Sequence, residues 1–250
     1  MKKILLFLSL MIAATLQAGS VKVLFIGDSI TDGGWGNSGG SAKPSKERNH
    51  WDMNHIYGHS YMFLCATHYQ GKYPEAGYEF FNRGISANTL DDLEKRWEED
   101  VIDIRPDVLS ILIGTNDVNE SLEAGEFDIQ VWEAHYRKLL DRTLEANPNT
   151  KLVLCTPFVA PTGRLKASAD YTLRETSLAQ CVEVVKRLAD DYNACLVPFD
   201  TLFRKLLEKH PIDEGRYWIW DGIHPTPAGH QRMADLWMQK TRKTFKRINK

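Results

Sequence analysis

Five short apolar runs, rich in β-branched and aromatic side chains, recur along the chain: VKVLFIG at 21–27, YEFFNRG at 78–84, DVLSILIG at 107–114, KLVLCTP at 151–157 and NACLVPF at 193–199. Continuous runs of this length predict strands covered on both faces. The segments between them carry a longer period. Trp132, Tyr136, Leu139, Leu140 and Leu144 recur at helical spacing, as do Leu178, Val182, Val185 and Leu188, so each set forms the apolar stripe of a helix. Strand and helix in alternation predict an α/β fold, a parallel sheet with helices on both sides. Ligands of such sheets bind beyond the carboxyl ends of the strands, near the point where strand order reverses. Polar residues collect at those ends: Gly27 precedes Asp28 and Ser29, Asn82 and Arg83 precede Gly84, and Gly114 precedes Thr115, Asn116 and Asp117.

The first residues follow a different pattern. MKKILLFLSLMIAATLQAGS has two lysines, an apolar run and then small residues, which predicts a secretory signal peptide over 1–18. The remaining 19–250 are expected to form a single domain, exported to the periplasm or secreted. An apolar run of roughly 11 residues is too short to span a bilayer, which needs about 20, and no other run approaches that length, so no membrane span is expected. The formal net charge of −2 offers nothing to a nucleic acid. The basic end KTRKTFKRINK reads as the solvated last turns of a helix. Cys65, Cys155, Cys181 and Cys195 have no regular spacing and no CxxC pair, so buried free thiols are expected rather than disulfides or a structural zinc site. Oligomeric assembly is left open.

Ser29 falls at a strand-to-helix turn, where a hydroxyl projects into a cleft alongside helix-start amides. A serine there is commonly a helix cap. A nucleophilic serine needs a base, and the base needs an orienting group. WDGIHPTPAGH supplies both: Asp221 lies three residues before His224 and can reach Nδ1, which leaves Nε2 to take a proton. Acyl transfer further requires donors for the developing oxyanion, and Gly84 offers an amide and Asn116 a side-chain NH₂. Taken singly, each of these residues also has an ordinary reading as a turn or cap. Neither GxGxxG nor GxxxxGK follows the first strand, and the GxSxG elbow is absent.

The ordered blocks GDSIT, NRGISANT, GTND and DGIHP resemble those of the SGNH (GDSL-type) hydrolases, and NRGISANTLDDLEKRWEEDVIDIRPDVLSILIGTNDV, VLCTPF and Trp220 before Asp221 resemble most the acetylxylan-esterase-like carbohydrate esterases. The resemblance implies a flavodoxin-like three-layer α/β/α sandwich with a five-stranded parallel sheet. It further implies an esterase without cofactor or metal, a Ser29–His224–Asp221 triad, and an oxyanion hole of Ser29, Gly84 and Asn116. The implied substrate is an acetylated carbohydrate or another small ester; lysophospholipase or thioesterase activity and a catalytically silent glycan-binding relative are the alternatives. The connection 32–62 exceeds the 2 to 6 residues such loops usually need. It is expected to shape the pocket, with Trp35, Trp51, His50, His55 and His59 suited to sugar rings and hydroxyls. Trp35, His59 and Trp220 are the candidate substrate contacts. Asp28 is expected to brace the turn by accepting backbone N–H groups.

Overall fold

The computed structural model describes residues 20–248 except Glu126; the expected signal peptide lies outside the described residues. Five strands, β1 (Val21–Gly27), β2 (Tyr78–Gly84), β3 (Val108–Leu112), β4 (Lys151–Cys155) and β5 (Cys195–Val197), form one parallel sheet in the order β2-β1-β3-β4-β5. The last three are shorter than their apolar runs. Beyond β4 and β5, Pro157 and Pro198 have no N–H for a ladder, and after β3 the chain leaves the sheet through Gly114 at φ 129°.

The helices are α1 (Ser29–Asp32), α2 (Tyr61–Lys72), α3 (Leu90–Lys95), α4 (Thr115–Ala124), α5 (Ile129–Ala146), α6 (Tyr171–Asp191), α7 (Phe199–Lys209) and α8 (Pro227–Ile248). Alternate residues of β1 enter opposite cores. Val23 and Phe25 pack with Tyr61, Phe80, Phe199 and Trp237 on the α2, α7 and α8 side. Leu24 and Ile26 pack with Trp97, Trp132, Tyr136 and Val185 on the α3, α5 and α6 side. With both faces covered, no strand needs a polar face, which is why the runs read as continuous. Each fully buried large side chain contributes roughly 1.5–3 kcal/mol relative to exposure, so the central strands form a rigid base for whatever their ends carry.

The chain passes from β1 to β2 on one side and later to β3 on the other, so strand order reverses at β1. Gly27 at its carboxyl end is paired with both Gly84 and Leu112. The segments that follow β1, β2 and β3 therefore emerge side by side. All four cysteines are free, with Cys195 only partly buried. Among the described residues no helix is long and apolar enough to cross a membrane.

Candidate active site

Ser29 is the first residue of α1, and Asp28 is its cap: Asp28 Oδ1 accepts the Ile30 amide at 3.0 Å. The helix lasts one turn, because Gly33 takes a left-handed conformation at φ 55°. The Ser29 amide has no acceptor among the described residues and stays available, as expected of a first-turn N–H.

The partners come from the segment before α8. A bridge between Ile219 and Pro225 and the Trp220 amide on the His224 carbonyl (3.1 Å) close a tight turn with Asp221 inside it. Asp221 Oδ1 accepts the amides of Ile223 (3.0 Å) and His224 (2.8 Å), and Oδ2 lies 2.9 Å from His224 Nδ1. His224 Nε2 lies 2.8 Å from Ser29 Oγ. A carboxylate that takes the Nδ1 hydrogen leaves Nε2 as the acceptor for the serine proton. Burial acts to raise the Asp221 carboxyl, but the hydrogen bonds from the His224 ring and from the two amides outweigh it and bring it down to about 2, so it is ionised throughout the working range. Arg164 Nη2 stands 3.4 Å from the same Oδ2.

The two neighbouring carboxylates behave differently. Burial raises Asp28 to about 7 and Asp117 to about 6, against one backbone bond from Ile30 and bonds from Leu90 and Trp132 respectively. Asp117 Oδ1 accepts the Leu90 amide (2.8 Å) and Trp132 Nε1 (3.0 Å) and so ties α3, α4 and α5 together. Asp28 is a brace with a pH signature. Between about pH 4 and pH 7 the folded chain keeps a proton on Asp28 that the unfolded chain releases, so its contribution to stability is lost as pH rises through that window. Asp28→Asn keeps the cap without the charge. Urea denaturation is expected to show the variant gaining roughly 2–4 kcal/mol on the wild type from pH 4 to pH 8. A pH-independent difference would refute the assignment.

Two sequence expectations are corrected. Trp35 is completely buried, donates Nε1–H to the Gly84 carbonyl at 2.7 Å, and lies under the guanidinium groups of Arg48 and Arg83, so it holds the loop and cannot touch a substrate. Gly84 offers no free amide: its N–H goes to Asn82 Oδ1 at 2.9 Å. A methyl group there would overlap the Asp32 amide, so the glycine is needed for the close approach of α1 to β2. Three residues after the strand, in the following turn, the exposed Ala87 has φ 66° and its amide has no acceptor among the described residues. Asn116, in the first turn of α4, spends one Nδ2 hydrogen on the Asn88 carbonyl (3.1 Å) and keeps the other.

No motif marks the group that holds this edge together. Asp32 and Arg48, both fully buried at their side chains, form a two-pronged pair at 2.7 and 3.1 Å. Asp32 Oδ2 also accepts the amide and hydroxyl of Ser86 at 2.9 and 3.0 Å, which joins the loop after α1 to the Ser86–Ala87 turn. Asn82 Nδ2 completes the seam by donating to the carbonyls of Thr31, Asp32 and Tyr57.

Ser29 Oγ opens into a cleft of about 740 Å³ whose wall is Gly33, Gly34, Asn37, Gly39, Gly40, His55 and His59 from the long connection, with Ser86, Trp220 and His224. Of the three candidate substrate contacts, His59 and Trp220 are thus in the cleft. Residues 53–59 form turns, so His55 and His59 are not stacked on a helix, and their Nδ1 atoms face Asp52 and Gly33 respectively.

Residues 25–232 match the GDSL-like lipase/acylhydrolase family. The chain belongs to that family. This GDSL hydrolase is 34% identical over 226 residues to an acetylxylan esterase of Geobacillus stearothermophilus, covering 88% of this chain and 93% of that one. It is 25% identical to a multidomain esterase of Ruminococcus flavefaciens, of which it spans 28%. Among solved structures, a GDSL-like protein of Parabacteroides merdae superposes with TM-score 0.75 at 33% identity, covering 89% of this chain and 96% of the other. The Geobacillus acetylxylan esterase Axe2 superposes with TM-score 0.70 at 32% identity, covering 90% and 96%. Axe2 variants described as catalytic mutants replace a serine, an aspartate and a histidine by alanine, the last two three positions apart. The chain is a carboxylic ester hydrolase with the α/β fold of its family.

Proposed function

We propose that this esterase removes O-acetyl groups from carbohydrates of the xylan type, with Ser29 as nucleophile. The observation that carries the reading is the wall of the cleft. Its surface is glycine backbone, imidazole and hydroxyl, and its one large apolar side chain is the exposed indole of Trp220. Such a surface, which has no aliphatic or phenyl side chain along it, suits a ring bearing hydroxyls better than a long acyl chain. The apolar depression between α6 and α7, about 440 Å³, shares no lining residue with the cleft and so does not extend it. The acetylxylan esterase relative agrees with this reading.

In the proposed chemistry Ser29 Oγ attacks the acetyl carbonyl while His224 Nε2, 2.8 Å away, takes its proton. Asp221 holds and stabilises the imidazolium. The oxyanion lies against the Ser29 amide, the free Ala87 amide and Asn116 Nδ2, each preorganised by the contacts described above. The sugar oxygen leaves with the proton from His224. Water, deprotonated by the same imidazole, then releases acetate from Ser29.

Acetate release from acetylated xylooligosaccharides, compared with aryl esters of increasing chain length, tests the substrate. The highest kcat/KM is expected on acetyl esters. A preference for acyl chains of about eight carbons or more would overturn the proposal.

A further inference from the structure

Two imidazoles in the cleft wall have their tautomers set by what their Nδ1 atoms face. His59 Nδ1 lies 2.8 Å from the Gly33 carbonyl oxygen. A carbonyl can only accept, so Nδ1 carries the hydrogen, and Nε2 of the neutral ring is a bare acceptor. His55 Nδ1 lies 2.6 Å from Asp52 Oδ2, and in the neutral ring an ionised carboxylate imposes the same tautomer. Neither Nε2 atom has a partner among the described residues, and both rings line the cleft that holds Ser29. The donors available to the acyl oxygen, by contrast, belong to Ser29, Ala87 and Asn116. The cleft therefore contains two hydrogen-bond acceptors that the acyl group cannot use, since an acetyl ester has no donor.

We propose that His59 Nε2 and His55 Nε2 accept hydrogen bonds from free hydroxyls of the sugar that carries the ester, which makes a partially acetylated residue the preferred substrate over a peracetylated one. The inference rests on the carbohydrate reading above. A hydroxyl donates to such a nitrogen. An acetyl group in its place sets oxygen against the lone pair, so the bond is lost and the acceptor is left desolvated and unpaired. Sites built to bond a hydroxyl discriminate on that basis more strongly than apolar pockets do.

The test compares kcat/KM for a methyl xyloside carrying one acetyl group, its fully acetylated form, and an aryl acetate with no sugar hydroxyl. His59→Asn is the informative variant. The asparagine NH₂ sits near the Nδ1 position and can keep the bond to the Gly33 carbonyl, while Nε2 is gone. The wild type is expected to favour the monoacetate. In His59→Asn the ratio of monoacetate to aryl acetate should fall by about tenfold, with the monoacetate-to-peracetate preference collapsing alongside it. His55→Asn, which likewise keeps its donor to Asp52, should move the same ratios in the same direction. It provides the test if His59→Asn does not fold. Equal losses on all three substrates, or unchanged ratios in both variants, would overturn the proposal. A wild type that cleaves the aryl acetate but neither sugar ester would instead remove the carbohydrate reading itself, and that outcome is visible before any variant is made.

Discussion

Ser29→Ala is expected to lower kcat on aryl acetates by about 10⁴–10⁶ with little change in stability. The hydroxyl is one end of a hydrogen-bonded chain from Ser29 Oγ through His224 to Asp221 Oδ2, with links of 2.8 and 2.9 Å. Groups that act as a unit lose their effect together, so Ser29→Ala/His224→Ala is expected to be no worse than either single change. Asp221→Asn should cost about 10⁴, because an amide facing Nδ1 favours the wrong tautomer. Asp28→Asn should cost much less. Asp28 is the other carboxylate beside the serine, but its oxygen is engaged with the Ile30 amide and not with an imidazole. Steady-state kinetics on these variants and on His224→Ala checks the ranking. Residual activity in Ser29→Ala close to the wild type would remove the mechanism, and Asp28→Asn falling below Asp221→Asn would reverse the roles of the two acids.

The five strands could be read from the chain because each depends on local pattern, whereas Ser29, Asp221 and His224 stood out from ordinary caps and turns only through the ordered blocks GDSIT, NRGISANT, GTND and DGIHP; the structure brings the three side chains together. Apolar runs mark strands buried on both faces. The DxxH spacing brings the carboxylate to its ring here because the chain between Ile219 and Pro225 closes a tight turn. The donors proposed for the oxyanion were legible only in part, since residue type says nothing about where an amide points. Gly84 looked available because glycine has no side chain, yet its N–H is claimed by Asn82 two residues earlier. The turn residue with the left-handed backbone is Ala87, which carries no glycine signal. Trp35 sits in a glycine-rich stretch that suggests exposure, but two arginines and a carbonyl enclose it. The Asp32–Arg48 pair joins the last residue of α1 to an irregular segment without periodicity, where no spacing rule applies.

That pair should be the most sensitive point outside the reacting groups. Arg48→Met is expected to destabilise the fold by about 3–5 kcal/mol, because it leaves the Asp32 carboxylate buried with its main counter-charge removed. The arginine also donates to the carbonyls of Lys43, Trp35 and Ser41, so the long connection loses its clasp as well. At about 2–4 °C per kcal/mol for a domain of this size, the thermal midpoint should fall by roughly 6–20 °C. Activity should fall with it through kcat more than KM, since Asp32 Oδ2 holds the Ser86 amide and hydroxyl and thereby the Ala87 amide next to them. The double variant Asp32→Asn/Arg48→Met separates the two effects. With the buried charge gone, much of the lost stability should return. The turn should not be restored to the same degree, because an asparagine can direct NH₂ instead of oxygen at the Ser86 amide. Thermal unfolding and kcat measured on the single and double variants decide the matter. If stability and kcat recover in parallel, the pair is only structural; if stability recovers and kcat does not, Asp32 positions the donor side of the site.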